Sequence, residues 1–234
     1  MKLDVLVFGA HADDAEIGMA GTIAKHTAAG AAVGLCDLTR AEMSSNGSVE
    51  LRLEEARKAA EVLGVRDRIN LGLPDRGIDS SEPQIRAVTE IIRRTSPSLV
   101  FAPYWEDRHP DHVAASRLVE EAVFNAKLRR YMPELPAVPA PLLYFYFIND
   151  PGRTDLVVDV TAHYRAKEEA LGSYRSQFER TAGDDSVETP LTDGYVERVR
   201  ARDRLLGQRL GIPLAEGFAS RVPYEVGLFT ENKR

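Results

Sequence analysis

The stretch LDVLVFGAHADDAEIGMAGTIAKHTAAG (residues 3–30) decides the fold class, because an apolar run passes through a polar turn into an alanine-rich segment. The run at 3–10 has the length of a buried strand, and the segment at 15–30 has helical spacing and ends at Gly30. Charged groups are costly to bury unless they are paired or bound to a metal. The histidine and aspartates in the turn are therefore either a solvated turn or a binding site.

The alternation of strand and helix continues through the first 130 residues. Further strands are predicted at 31–38, 68–73 and 97–103, and helices at 48–64, 82–96 and 112–128. The strands are apolar without a clean period of two, which is typical of a parallel sheet covered on both faces. The sequence therefore predicts an α/β fold with a mostly parallel sheet.

The pattern changes at residues 132–141, which hold four prolines in ten positions. Such a segment is extended and cannot be helical, and we expect it to be a long loop near the site. Strand-like runs follow at 142–148 and 155–160, and helical segments at 162–174 and 193–211. Because strand character resumes at once, we predict a single domain over 1–234.

Composition narrows the class of protein. The 234 residues carry a net charge of −6, with 30 basic and 36 acidic side chains, which argues against a nucleic-acid-binding protein. The single cysteine, Cys36, excludes a disulfide within the chain and is interpreted as a buried apolar residue. No apolar run approaches the roughly 20 residues needed to span a bilayer. We expect a cytoplasmic protein with no membrane partner.

Polar side chains follow each of the first four predicted strands. Because ligands of parallel sheets gather outside the carboxyl ends of the strands, these clusters are expected to lie along one edge. The candidates are His11, Asp13 and Asp14; Arg40 and Glu42; Asp75; and Arg108, His109, Asp111 and His112.

Two imidazoles and a carboxylate are a typical ligand set for a catalytic zinc with one position open. His11, Asp14 and His112 supply that set, and Fe²⁺ or Co²⁺ would fit the same ligands. Asp13 is then placed to take a proton from metal-bound water, and His109 to stabilise an oxyanion or protonate the leaving amine. The alternative is that the acidic residues cap the following helix and that RHPDH is a plain loop.

The segments AHADDAEIG and RHPDH resemble the paired motifs of the LmbE-like, or PIG-L, family of zinc-dependent N-acetylglucosaminyl deacetylases. Ala12 stands where the family pattern His-Pro-Asp-Asp has proline. The segments LTRAEMSSNGS, RLEEARKAAEVLGV, NLGLPD and AEGF resemble the branch that deacetylates N-acetylglucosaminyl malate in bacillithiol biosynthesis, although AEMSSNGS departs from its glycine-rich loop. The resemblance implies a Rossmann-like three-layer sandwich and, in this branch, a hexamer.

The resemblance also assigns roles. It implies one Zn²⁺ per chain on His11, Asp14 and His112, Asp13 as the base that activates zinc-bound water, and His109 as its electrostatic partner. It suggests that Arg52 reaches the substrate, an amino sugar, and that a tyrosine such as Tyr195 helps to bind the oxyanion. The alternative for Arg52 is a solvated arginine on a helix, and the alternative for Tyr195 is an ordinary surface or core tyrosine.

The remaining candidate residues follow from the chemistry of a malate-bearing substrate. Arginine pairs well with carboxylates, which favours Arg108 and then Arg40 as substrate-binding residues. Glu42 either binds sugar hydroxyls or caps a turn, and Asp111 either orients a histidine or caps a helix.

Other functions remain open on the sequence. The same site could deacetylate GlcNAc or chitooligosaccharides, or cleave a thiol-conjugate amide. A non-enzymatic sugar- or metal-binding protein is disfavoured, because metal retention needs neither Asp13 nor His109. A nucleotide-binding oxidoreductase is disfavoured, because the Gly-x-Gly-x-x-Gly fingerprint does not follow the first strand.

Overall fold

The computed structural model describes residues 2–180, 186–223 and 225. Its strands and helices alternate through most of the chain. In order they are β1 (Val5–Gly9), α1 (Asp14–Ala28), β2 (Val33–Thr39), α2 (Val49–Val62), β3 (Asp67–Leu73), α3 (Glu82–Thr95), β4 (Leu99–Pro103), α4 (Pro110–Ala126), β5 (Leu142–Tyr146), β6 (Leu156–Asp159), a 3₁₀ turn (Thr161–His163), α5 (Tyr164–Gly172), α6 (Arg175–Phe178), α7 (Tyr195–Gln208) and β7 (Ala215–Ala219).

The strands form one sheet in the order β3-β2-β1-β4-β5-β7-β6. The first five strands in this order are parallel, and β7 runs antiparallel to both of its neighbours. The predicted mostly parallel sheet is therefore confirmed. Strand β7, which the sequence pattern did not indicate, is inserted between β5 and β6.

The sheet separates two apolar cores, which gives three layers. Along β1, Val5 and Val7 belong to the core under α1, α2, α5 and α7, whereas Leu6 and Phe8 belong to the core under α3 and α4. A strand that is buried on both faces needs apolar side chains at every position. This requirement explains the continuous apolar run at the start of the sequence.

The proline-rich segment 132–141 lies at the amino-terminal ends of the parallel strands, opposite the predicted site. The prediction that this segment lies near the site is therefore wrong. Helix α4 begins after the carboxyl end of β4 and returns the chain to the amino-terminal ends of the strands. Arg93, in the last turn of α3, donates hydrogen bonds there to the carbonyls of Met132 (2.8 Å) and Leu135 (2.7 Å). The segment then leads directly into the start of β5, whose Leu142 N–H donates to the carbonyl of Ser98.

The buried cysteine predicted from composition is found in the structure. Cys36 is a free thiol buried in β2, and burial raises its pKa well above the usual value. No described helix is both long enough and apolar enough to cross a bilayer.

Candidate active site

A cavity of about 430 Å³ opens at the carboxyl ends of the parallel strands, where the sequence predicted a site. The predicted residues that line it are His11, Asp13, Asp14, Arg52, Asp75, Arg108, His109, His112 and Tyr195. They come from the β1–α1 turn and the start of α1, helix α2, the β3–α3 loop, the β4–α4 loop and the start of α4, and the first turn of α7. The alternation of strand and helix therefore gathers residues that are far apart in the sequence.

The turn after β1 is held by Asp14 and does not use its aspartates as helix caps. The backbone N–H of His11 donates to Oδ2 of Asp14 (2.9 Å). Asp13 occupies the position before the first helical residue, yet its side chain makes no capping hydrogen bond to α1. The helix-cap alternative is therefore not what the structure shows for Asp13.

Both candidate histidines turn one ring nitrogen toward the Asp14 carboxylate. Nε2 of His112 lies 3.2 Å from Oδ1 of Asp14, and Nδ1 of His11 lies 3.7 Å from its Oδ2. Ligand atoms of a tetrahedral zinc with bonds of about 2.0–2.1 Å are roughly 3.4 Å apart, so these separations suit such an ion. All three side chains are buried or nearly so.

The other nitrogen of each ring faces a carboxylate. Nδ1 of His112 lies 3.0 Å from Asp107, and Nε2 of His11 lies 3.3 Å from Asp75 and 3.6 Å from Asp111. Metal-binding histidines commonly have such a carboxylate, which fixes the tautomer and the ring orientation. Two imidazoles and a carboxylate, with further carboxylates behind the rings, are a donor set whose chemistry suits a divalent metal.

Among the described residues, two groups have one ligand atom each within 4.8 Å of one another: His11, His109 and His112, and His11, Asp75 and Asp111. Asp14 belongs to neither group, although each of its pairs with His11 and His112 is closer than this. Nδ1 of His109 accepts the N–H of Asp111 (3.2 Å) at the start of α4. This bond leaves Nε2 of His109 as the nitrogen available to a bound molecule. Burial and the neighbouring His112 and His11 lower its pKa.

The carboxylates make this corner of the cavity favourable for positive charge. Burial opposes protonation, but Asp111 and Asp75 raise the pKa of His11 to about 10, and Asp14 and Asp107 raise that of His112 to about 9. The same histidines hold the pKa of Asp14 well below its usual range, although its burial acts in the opposite direction. The site is thus built to hold cationic imidazoles or a metal cation.

Asp13 combines an unusual backbone with a titratable carboxyl. Its φ of 114° lies in the region that non-glycine residues rarely adopt. Its Oδ2 accepts a hydrogen bond from Nη1 of Arg52 (2.8 Å). Burial raises the pKa of Asp13 to about 6, against the opposing effect of Arg52. A carboxyl with a pKa in this range is suited to general-base catalysis near neutral pH.

Tyr195 and Arg108 occupy the other side of the cavity. The Tyr195 hydroxyl lies 3.1 Å from both the Ile148 carbonyl and Oδ1 of Asn149, and burial raises its pKa, so the hydroxyl stays protonated. Arg108 is exposed at the rim, and within the described ranges its guanidinium has no hydrogen-bond partner. A bound anion could therefore reach Arg108 without displacing a protein contact.

Three predicted residues, Arg40, Glu42 and Asp111, lie around the cavity and do not line it. Arg40 is exposed and Glu42 accepts the N–H of Asp75 (2.8 Å); the described cavity lining includes neither of them. Glu42 thus matches the turn-capping alternative. Asp111 faces His11 and is also bound by Nη1 of Arg76 (2.7 Å), which matches the role of orienting a histidine.

The structure adds residues that the sequence analysis did not single out. Asn149 follows β5 and donates to Asp107 (2.7 Å), and Asn46 makes two hydrogen bonds with the backbone of Val187 (2.8 and 2.9 Å). Asn149 would have been identified if the search for polar residues after each strand had been extended to the fifth predicted strand. No local signal identifies Asn46 or the cavity-lining Thr189, because their position depends on the packing of distant segments.

Trp105 does not line the described cavity. Its ring packs on Tyr104 with centroids 4.2 Å apart, and the Arg221 guanidinium lies 4.2 Å above it.

Comparison with known proteins agrees with this geometry. The family model described as PIG-L, GlcNAc-PI de-N-acetylase, matches residues 6–123. The conserved protein TT1542 from Thermus thermophilus has a solved structure that is 38% identical in sequence, covers 99% of each chain and superposes with a TM-score of 0.89.

Two curated relatives carry more specific names. A diacetylchitobiose deacetylase from Thermococcus kodakarensis is 30% identical over 74% of this chain and 70% of its own length. A probable N-acetyl-α-D-glucosaminyl L-malate deacetylase 2 from Bacillus cereus is 29% identical over 76% of this chain and 86% of its own length.

Proposed function

This chain belongs to the PIG-L family, and from that premise we propose that it is a metal-dependent hydrolase that removes the N-acetyl group from a GlcNAc-type substrate. The observation that carries the proposal is the position of Asp13. It presents a carboxyl with a raised pKa in the same cavity as the donor set of His11, Asp14 and His112. A site that only retained a metal would not need such a base.

The metal centre is proposed to be zinc, on His11, Asp14 and His112. When bound, a divalent cation would polarise the amide carbonyl and lower the pKa of water. The two carboxylates behind the histidine rings, from Asp107 and Asp75, would keep the metal-facing nitrogens deprotonated and correctly aimed.

The remaining steps fall to the side chains around this centre. Asp13 takes the proton of the attacking water as that water adds to the amide carbon. His109 donates a hydrogen bond from Nε2 to the negative oxygen that develops on the former carbonyl, and the Tyr195 hydroxyl does the same once it leaves Ile148 and Asn149. Asp13 then gives this proton to the sugar nitrogen, the C–N bond breaks, and acetate and the free amine leave.

For the substrate, we propose N-acetylglucosaminyl malate, which would place the enzyme in bacillithiol biosynthesis. The guanidinium of Arg108 at the rim, which pairs with none of the described residues, is suited to one of the malate carboxylates. The malate deacetylase relative matches most of its own length, which supports the same choice. A neutral chitooligosaccharide, as suggested by the name of the other relative, would make no use of this charge.

The decisive experiment is an acetate-release assay on purified, metal-analysed protein. N-acetylglucosaminyl malate, diacetylchitobiose and GlcNAc are compared at equal concentration, with and without a chelator. We expect chelator-sensitive release with a clear preference for the malate conjugate. The Arg108→Gln variant should lose that preference, whereas Arg117→Gln, on the following helix, is the control and should keep it.

The possible results separate the reaction from its substrate. Equal or faster turnover of diacetylchitobiose would retain the deacetylase chemistry and reject the malate assignment. Release that is insensitive to the chelator would contradict the metal centre. Absence of release from all three compounds by metal-loaded protein would reject the proposed function.

A further inference from the structure

Arg52 is a buried arginine whose guanidinium holds the β1–α1 turn. It lies on the first turns of α2, and only 5% of it is exposed. Its Nη1 donates both to the carbonyl of Ala12 (2.9 Å) and to Oδ2 of Asp13 (2.8 Å). Its Nη2 donates to Oγ of Ser44 (3.1 Å), on the loop after β2. One nitrogen thus joins the backbone and the side chain of the same dipeptide.

The held dipeptide contains the strained residue of the site. Asp13 has φ 114° and ψ −23°, and the side chain of Asp13 makes no hydrogen bond to the helix that follows. Such a conformation persists only when the surroundings enforce it. Arg52 supplies that constraint, because moving the Asp13 carboxylate or rotating the Ala12 peptide would break one of its two bonds.

The pairing also leaves one oxygen of Asp13 for chemistry. Arg52 contacts only Oδ2, and the described residues donate no hydrogen bond to Oδ1. Asp13 lines the cavity, so its unpaired oxygen is the one left for a molecule bound there. A bidentate pair, in which the guanidinium bonds both carboxylate oxygens, would have left Asp13 no oxygen to act as the base.

We propose that Arg52 is a positioning residue: it fixes Asp13 in its strained conformation and directs Oδ1 at the reacting water, in place of the substrate contact that the family resemblance suggests. The proposal rests on the proposed function, in which Asp13 is the base. It predicts that Arg52 acts on the rate of the chemical step and has little effect on substrate affinity.

The experiment compares Arg52→Lys and Arg52→Gln with matched variants of Arg57, an exposed arginine on the same helix that pairs with Glu54. A lysine keeps the charge but has one nitrogen and no planar fork, so it cannot reproduce the fixed arrangement in which Nη1 bonds Ala12 and Asp13 while Nη2 bonds Ser44. Misplacing a catalytic group by about 1 Å can cost about 100-fold in rate. We therefore expect kcat of Arg52→Lys to fall by about 10- to 100-fold, with KM within twofold of wild type.

Chemical rescue and hydrogen exchange separate positioning from other roles. Millimolar guanidinium should restore part of the kcat of Arg52→Gln and leave the Arg57 variants unchanged. Backbone amides of residues 10–16 should exchange faster in Arg52→Gln than in Arg57→Gln, with metal content equal. A rise in KM at constant kcat would overturn the proposal and show that Arg52 contacts the substrate; unchanged exchange would overturn it as well.

Failure of the proposed function gives a different pattern. If the wild-type protein releases no acetate from any N-acetylated amino sugar, the kinetic comparison has no signal. The exchange comparison still decides whether Arg52 holds the turn, because it requires only folded protein.

Discussion

Asp13 is the residue on which the proposed chemistry depends most directly. The Asp13→Asn variant leaves His11, Asp14 and His112 in place, and its amide oxygen can still accept from Arg52. We expect this variant to bind metal as wild type does and to lose turnover by about 100- to 10,000-fold, the usual contribution of a general base. Metal analysis and acetate release on the same sample provide the measurement. Near-normal turnover would contradict the assignment of the base.

The pKa of Asp13 also predicts a pH profile. The base works only as a carboxylate, so kcat/KM should rise with pH through the pKa of Asp13 and be lost below it. Burial raises that pKa to about 6 without a metal, and a nearby divalent cation would lower it. We expect the acidic limb of kcat/KM at or below about pH 6, measured at saturating metal. A midpoint above about pH 7 would point to another group.

For single residues, the sequence predicted which side chains line the cavity, but it did not predict which of them contact one another. His11, Asp13, Asp14, His109 and His112 all line one cavity, because each follows a strand of the parallel sheet. The contact between Arg52 and Asp13 was not predictable, since it joins a helix to a turn 39 positions away and depends on how α2 packs.

Among the secondary structure elements, a buried ion network joins the two ends of the chain. Nζ of Lys167, on α5, donates to Asp203 of α7 (2.8 Å) and Glu216 of β7 (2.7 Å), and all three side chains are fully buried. Glu216 in turn accepts the N–H groups of Gly21 and Thr22, just after α1 departs from helical geometry at Met19. The network thus fixes the helix that begins at the site.

This network gives a prediction for stability. Lys167→Met would leave the buried Glu216 carboxylate without its cation, whereas Asp203 would keep its pair with Nε of Arg202 (3.0 Å). Breaking a buried pair in this way costs about 3–5 kcal/mol. We expect the free energy of unfolding in urea to fall by about that amount. Lys58→Met, at an exposed lysine on α2, is the control and should change it by less than about 0.5 kcal/mol. Equal effects of the two substitutions would show that the network contributes little.

The sequence pattern predicted neither strand β7 nor the location of the proline-rich segment, and both failures have a physical reason. Strand β7 is five residues long and contains Glu216 and Gly217, so it lacks an apolar run, and its partners β5 and β6 precede it by many residues. The proline-rich segment at 132–141 is not helical, as predicted, but it is not extended throughout, because residues 132–135 form a turn in which the N–H of Leu135 donates to the carbonyl of Met132 (3.0 Å). The location of the segment depends on the length of α4, which returns the chain to the amino-terminal ends of the strands.

At the scale of the whole molecule, the candidate metal centre connects separate parts of the fold. His11 and Asp14 belong to the turn between β1 and α1, and His112 lies on α4, which packs on the other face of the sheet. A metal that binds these three side chains in the folded state, and has no such site in the unfolded chain, stabilises the whole domain. Metal removal should therefore lower Tm.

The size of that effect should depend on pH. In the metal-free protein, carboxylates raise the pKa of His11 and His112 from 6.5 to about 10 and about 9. A group whose pKa is raised on folding contributes stability that is complete below about pH 6.5 and is lost as the pH rises through the folded value. The chelated protein should therefore lose stability between about pH 7 and pH 10.

The metal-loaded protein should behave in the opposite sense, because metal binding requires neutral imidazoles and releases their protons. We expect the difference in Tm between zinc-loaded and chelated protein to widen from about pH 6.5 to about pH 9. Taking the difference cancels groups that titrate elsewhere in the chain. A His26→Gln variant, altered on α1 away from the cavity, should show the same widening, whereas His112→Gln should largely abolish the difference. A gap that stays constant with pH would mean that the bound ion does not replace protons on these histidines, and His11 and His112 would then not be its ligands.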